Sequence, residues 1–196
     1  MIKKQNKRMS TETLVLASLM TALVVVFQCL ATYTTFFGPF STAIGLIPIV
    51  IGAAMCGPAV GAWLGLVFAL VVILTGGANL FFAFSIHGTI ITVFGKGIAC
   101  GYVAGLVYKL LKGKNKIVAA VFSALVCPVV NTGIFLLGSA MFFMPFAQKI
   151  ADLLGMAKSG FGIFIALALG NFLFEIGMNV VLSPIIVRVL DMIKKK

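Results

Sequence analysis

The sequence predicts an all-α membrane protein, a compact six-transmembrane-helix bundle with its N- and C-termini in the cytoplasm. Hydrophobic residues make up 62% of the 196 residues and charged residues only 10%, whereas a soluble domain carries about 25% charged residues. The apolar residues form continuous runs of about 20 residues, the length of a helix that crosses the hydrocarbon core of a bilayer. These runs do not alternate with polar residues as barrel strands would, so helices are predicted.

Each span is recognised by the signals at its two ends. The first follows STE, an N-cap sequence that begins at Ser10. The second is short and contains Pro48, and the turn sequence GPAVG separates it from the third. TGGANLFFAFSIHG forms a loop before the fourth span, a basic loop separates the fourth from the fifth, and MPFAQKIADLLGMAKSG forms a loop before the sixth. The predicted spans cover about residues 13–35, 42–56, 59–74, 89–111, 117–143 and 161–190.

Basic residues determine the predicted orientation. Four lysines or arginines lie in the N-terminal tail, four in the loop 109–116 and four at 188–196. The positive-inside rule places such clusters in the cytoplasm, and an even number of spans puts all three there. We therefore predict one integral membrane domain over 1–196, with a basic cytoplasmic tail at 1–12 and the bundle at about 13–190. The formal charge of +11 then reflects membrane flanks, and no nucleic-acid partner is expected.

Two glycine runs predict close contacts between helices. In each run a glycine occurs every four residues, and small residues at this spacing let helix backbones approach closely in lipid. The glycines are Gly57, Gly61 and Gly65 in the first run and Gly97, Gly101 and Gly105 in the second.

Polar side chains within the sixth span form the first part of a candidate site. Asn171, Glu175 and Asn179 stand four residues apart, so they form one stripe that drifts by about 80° over two turns. Polar groups inside a bilayer are costly and usually face a cavity or a partner. The stripe is therefore predicted to be one wall of a ligand cavity.

The fourth and fifth spans supply the groups expected opposite this stripe. Lys96 lies in the fourth span, where an isolated charge is costly. It pairs either with Glu175 or with an anionic group of a ligand. Asn131 follows Pro128 by three residues. Its amide either hydrogen-bonds to the backbone carbonyl that the proline leaves without a donor, or hydrogen-bonds to an amide or hydroxyl of a ligand.

Three further residues are candidates for the outer entrance of the cavity. Tyr33 ends the first span, Asn79 lies in the loop after the third, and His87 stands at the start of the fourth. A single histidine near a membrane interface is more often solvated or a helix cap, so the case for His87 rests on its position alone.

Patterns of catalytic and cofactor sites are absent from the sequence. There is no HExxH, Walker or Ser/His/Asp arrangement. The cysteines show no CxxC spacing and are read as packing residues. We therefore expect no enzyme activity, no catalytic residues, no metal and no cofactor. The four cysteines are Cys29, Cys56, Cys100 and Cys127.

Most of the chain resembles the substrate-binding, or S, component of energy-coupling factor (ECF) vitamin transporters, and it looks most like the pantothenate-type members. The resemblance implies a multi-pass protein of a bacterial cell membrane that captures a vitamin at the outer face. It also implies partners, namely a transmembrane coupling subunit and two cytosolic ATPase subunits. The segments that carry the resemblance are GLIPIVIGAAMCGPAVGAWLG, HGTIITVFGKGIACGYVAGLVYKLL, CPVVNTGIFLLG and NFLFEIGMNVVLSPIIVRVL.

The resemblance also implies a docking face on the first span. In the family this span contacts the coupling subunit through an AxxxA-like face. The matching positions here read LASLMTALV, which pairs Ala17 with Thr21 and Ser18 with Ala22. Small-xxx-small packing is kept in both pairs.

Pantothenate carries one carboxylate, one amide and two hydroxyls, and the polar groups of the spans match this set. Lys96 would neutralise the carboxylate, Asn131 and Asn171 would bond the amide and hydroxyls, and Glu175 would accept a hydroxyl hydrogen bond.

Two alternatives stay open. One keeps the family but binds riboflavin, folate or a queuosine precursor, for which aromatic residues of the outer loops would stack on a flat ligand. The other is a stand-alone secondary transporter in which Glu175 carries a coupling proton. The aromatic residues are Phe36, Phe37, Phe81, Phe82 and Phe84.

Overall fold

The computed structural model describes residues 10–33, 44–153, 162, 165–166, 168–179 and 181. The side chains at positions 33, 150, 151 and 153 lie outside this description. Helices dominate, and no strand occurs within these ranges. The helices are α1 (Thr11–Tyr33), α2 (Leu46–Cys56), α3 (Pro58–Leu74), α4 (Asn79–Phe82), α5 (Ile86–Leu111), α6 (Lys116–Phe142), α7 (Met144–Leu153) and α8 (168–179).

Within the described part of the chain, three helices are long and apolar enough to cross a membrane. They are α1, α5 and α6, with apolar stretches of 22, 26 and 27 residues. They correspond to the predicted first, fourth and fifth spans, whose bounds differ from those of the helices by at most three residues.

The remaining predicted spans are tested only in part. Helices α2 and α3 are apolar but have 11 and 17 residues, fewer than the about 20 of a typical span. The predicted sixth span is helical over 168–179. The count of six and the cytoplasmic termini stay predictions, because residues 1–9 and 182–196 lie outside the described part.

Side-chain caps determine where the long helices begin. The Ser10 hydroxyl accepts a hydrogen bond from the Thr13 amide at 3.2 Å, as the N-cap prediction requires. Ser85 caps α5 by accepting from the Gly88 amide at 3.1 Å. Asn115 Oδ1 caps α6, with its shorter bond, 2.8 Å, coming from the amide of residue 117. Each cap satisfies amides that have no partner within their own helix.

Helices α3 and α5 touch through their backbones at the two glycine runs, which is the kind of close helix contact that the four-residue spacing predicted. A Cβ atom placed on Gly65 would overlap the carbonyl group of Gly97, and one placed on Gly61 would overlap that of Gly101. The contact therefore requires glycine on both helices at two successive levels. It fixes the axial register of α5 against α3.

A shared hydrophobic core lies between α1, α2, α3, α5 and α6. Val24, Leu46, Leu64 and Phe68 are among its fully buried members. Large apolar side chains also cover the outside of these helices, for example Leu110, which is 70% exposed. An apolar core inside an apolar outer surface is expected for helices surrounded by lipid.

The segments predicted as loops after the third and fifth spans contain two short helices. Phe81 of α4 packs against Phe143 and against Phe146 of α7, with ring centroids 5.0 and 5.4 Å apart. Helix α7 is amphipathic, since Phe146 and Ala147 are buried while Lys149 is exposed. The prediction of a plain loop was wrong here, because this apolar spacing becomes stable only when aromatic partners cover it.

Candidate functional site

A small polar cavity lies between α3, α4, α5, α6 and α8. Its volume is about 50 Å³, enough for a few water molecules but below the roughly 300 Å³ of typical ligand pockets. Its polar wall residues come from three helices and converge on one space. They are Lys96 of α5, Asn131 and Thr132 of α6, and Asn171 and Glu175 of α8.

Lys96 provides the positive charge of the cavity. Its Nζ lies 5.2 Å from the ring centroid of Phe135 and 5.9 Å from that of Phe68, within the range of cation–π attraction. It also interacts electrostatically with Glu175. Within the described residues, however, the ammonium has no carboxylate at ion-pair distance. Of the two predicted roles for Lys96, direct pairing with Glu175 is thus not the arrangement found.

Two members of the predicted stripe form the α8 wall of the cavity. Asn171 Nδ2 donates to Glu175 Oε1 at 2.8 Å, and Glu175 is only 3% exposed. Asn179 Nδ2 donates to the backbone carbonyl of Glu175 at 2.9 Å, but Asn179 is not a wall residue. The drift of the stripe explains this, since Asn179 lies about 80° around the helix from Asn171.

Two amide oxygens of the cavity lack a donor. Asn131 Oδ1 and Asn171 Oδ1 are buried, and no hydrogen bond reaches either oxygen in the part of the chain that the structure describes. A buried acceptor without a donor is costly. Both oxygens are therefore suited to accept hydroxyl or amide hydrogens from a bound molecule.

Two of the three residues predicted for the outer entrance do not line this cavity. His87 and Asn79 are both exposed and are not wall residues. His87 precedes Lys96 by nine residues, or about 180° around α5, so the two lie on opposite faces of the helix. The side chain of Tyr33 and the loop 34–43, with Phe36 and Phe37, lie outside the described part.

Aromatic and hydroxyl wall residues were missed by sequence reasoning. Phe135 stands four residues after Asn131 and shares its helix face, so the spacing could have indicated it. Thr132 adjoins Asn131 but carried no separate signal. Phe68 lies in an apolar helix where every position looks alike, and only the packing of α3 against α5 brings it to Lys96. Phe81, considered for a flat ligand, is also a wall residue.

Most of the residues predicted for docking line a groove between α1 and α3. The groove has a volume of about 510 Å³, and Ala17, Ser18 and Thr21 form its α1 side. On the α3 side, Trp63 is 53% exposed, and its Nε1 donates to Thr21 Oγ1 at 3.3 Å. Ala22 is exposed but does not line the groove.

Comparison with protein families identifies this architecture. The family model of the substrate-specific component of ECF transporters matches residues 12–187. The chain belongs to this family. It is therefore a multi-pass membrane subunit that takes a small-molecule substrate and works with components of an energy-coupling module. The family is a transport family and not an enzyme class. No curated protein and no solved structure gives a significant match.

Proposed function

We propose that this S component captures pantothenate at the outer face of a bacterial cell membrane for ATP-driven uptake. The observation that carries the proposal is the convergence of Lys96, Asn131, Asn171 and Glu175 on one cavity. The proposed partners are a transmembrane coupling subunit and two cytosolic ATPase subunits.

The charge pattern supports a small anionic ligand. One cation, Lys96, faces one carboxylate, Glu175, across the cavity. A ligand carboxylate near the ammonium would form a charge-assisted hydrogen bond, which is stronger than the cation–π contacts of Lys96 with Phe68 and Phe135. Glu175 would then accept hydrogen bonds from the uncharged end of the ligand.

The hydrogen-bonding pattern supports a ligand with several donors. Asn131 Oδ1 and Asn171 Oδ1 both need a donor, and Glu175 adds a third acceptor. Pantothenate offers two hydroxyls and one amide N–H, which can donate to these oxygens. A carboxylate alone would leave the amide oxygens unsatisfied.

The aromatic residues favour a compact ligand over a flat one. Phe81 reaches the cavity, but its ring meets that of Phe135 edge-on at 87° and also packs on Phe146. Phe82 and Phe84 are not wall residues. Stacking a flavin or pterin would require this aromatic cluster to separate.

The cavity volume of about 50 Å³ requires the walls to move apart on binding. Helix α4 is held by an aromatic contact with α6, and α7 by an aromatic contact with α4. The α3–α5 interface is held by backbone contact. Opening on the α4 side would therefore cost less than separating α5 from α3.

Calorimetry on the purified protein tests the ligand. Pantothenate should bind, and riboflavin, folate and a queuosine precursor should not compete with it. Tight binding of one of these in its place would overturn the vitamin assignment. Uptake by cells with and without the ATPase subunits tests the energy source, since accumulation driven by a pH gradient alone would favour the proton-coupled alternative.

Docking is tested by filling the groove between α1 and α3. Ser18→Leu puts a large side chain into a face where small residues permit close approach. Pantothenate binding should be unchanged while uptake with the partner subunits falls at least tenfold. Val26→Leu, at an exposed position of the same helix that neither lines the groove nor belongs to the predicted docking pairs, is the control.

A further inference from the structure

A second pocket lies at the opposite end of α5 from His87 and is separate from the polar cavity. It has a volume of about 320 Å³, larger than the cavity around Lys96. The turn from α2 to α3, residues 53–58, forms one side, and the last two turns of α5 form the other.

The pocket is positively charged. Lys109 and Lys112 stand three residues apart on one helix face, and both belong to the wall. None of the described residues that form the wall is acidic. Cys56 Sγ contacts the Thr13 carbonyl at 3.9 Å, which brings the start of α1 close, but Glu12 is exposed and is not part of the wall.

The depth of the pocket matches the headgroup layer of a membrane. Helix α5 has 26 residues, or about 39 Å of helix, whereas a hydrocarbon core is about 30 Å thick. Because the charged Lys109 and Lys112 are costly within hydrocarbon, we place the excess length at the last turns of α5. Leu106 and Leu110 are exposed on these turns, so acyl chains can lie directly beside the two lysines.

We propose that this pocket binds the phosphate group of an anionic membrane phospholipid. The lysine ammonium groups bind the phosphate, and the acyl chains lie along the exposed leucines of α5. Basic pockets between transmembrane helices on the cytoplasmic side are a known setting for such headgroups. A lysine that only determines topology or neutralises a helix C-terminus needs no cavity, and here the lysines form the wall of one.

Native mass spectrometry of the full-length protein in detergent tests the proposal. The probes are phosphatidylglycerol and phosphatidylcholine with identical acyl chains. One phosphatidylglycerol should be retained in preference to phosphatidylcholine. Changing both lysines, Lys109→Gln with Lys112→Gln, should weaken retention about 30-fold, at about 1 kcal/mol for each lysine.

Matched variants distinguish lipid binding in this pocket from general attraction of the lipid to a basic surface. Lys114→Gln with Lys116→Gln removes the same charge from the same loop outside the pocket and should change retention by less than threefold. Lys109→Arg with Lys112→Arg should retain the lipid. Each single glutamine variant should lose about fivefold, which keeps the test decisive if the double variant does not fold.

Three results would overturn the proposal. The first is an equal loss of phosphatidylglycerol retention in the two double glutamine variants. The second is equal retention of phosphatidylglycerol and phosphatidylcholine by the unchanged protein. The third is stabilisation of the protein by glycerol 3-phosphate as large as its stabilisation by phosphatidylglycerol. The last result would assign the pocket to a soluble phosphate in place of a lipid. Pantothenate affinity reports on the other cavity, so the two proposals can fail separately.

Discussion

Helix α5 presents two opposite kinds of surface, and their difference explains how the candidate site is held. One face carries Gly97 and Gly101, which meet α3 backbone to backbone with no room for a methyl group. Another face carries Lys96, which points into a cavity shared with α6 and α8. The closed face fixes the position of α5, and the open face can therefore place one cation accurately.

The largest expected effect comes from breaking the closed face. Gly65→Ala would place a methyl group on the carbonyl of Gly97, so two backbones must separate. Overpacking of this kind costs about 3 kcal/mol. We expect loss of monodisperse protein in size-exclusion chromatography and a lower midpoint of thermal unfolding. Normal thermal stability would show that the α3–α5 contact is looser than described.

The next effect concerns the charge on the open face. Lys96→Met removes the ammonium and keeps an apolar side chain of similar length, so folding should be retained. Loss of a charge-assisted hydrogen bond should weaken pantothenate binding about 100-fold in calorimetry. Lys149→Met removes a lysine from the exposed face of α7 and should bind normally. Equal pantothenate affinities of the two variants would show that Lys96 does not bind the ligand.

A smaller effect on pantothenate binding should distinguish Asn171 from Asn179 within the polar stripe of α8. Asn171→Ala removes a wall residue and its hydrogen bond to Glu175, and should weaken pantothenate binding about tenfold. Asn179→Ala removes a buried amide that is not in the wall. It should lower thermal stability and leave affinity within about twofold. The reverse order of affinities would mean that the cavity wall is assigned to the wrong turn of α8.

The smallest effect is expected at a glycine that makes no contact. A Cβ atom on Gly133 of α6 would meet no described atom within 4 Å. Gly133→Ala should therefore raise stability by up to about 1 kcal/mol through helix propensity. Pantothenate affinity should not change. A destabilised Gly133→Ala protein would show that glycine is required on both sides of the bundle and would weaken the contrast between the two faces.

Helix periodicity predicted much of the fold and the site. The apolar runs predicted the bounds of α1, α5 and α6 within three residues. The four-residue glycine spacing predicted close helix packing, but not that the two runs contact each other. Lys96, Asn131, Asn171 and Glu175 were found because polar groups are rare and costly within apolar spans.

Other features could not be read from the chain. Asn179 was grouped with the stripe although it does not line the cavity. The place of Phe68 in the cavity wall could not be predicted, because α3 is uniformly apolar. The two short helices α4 and α7 were missed because aromatic residues distant in sequence, such as Phe81 and Phe146, stabilise them together.

The sequence by itself determined that the chain is a helical membrane protein, where its long helices lie, and which side chains need a polar environment. These properties depend on composition and on spacing along one helix, which are local. Only the tertiary structure decided which of those side chains share a cavity, that Lys96 rests on Phe68 and Phe135, and that the cavity is small. These depend on how helix faces meet, and that follows from packing between helices far apart in the chain.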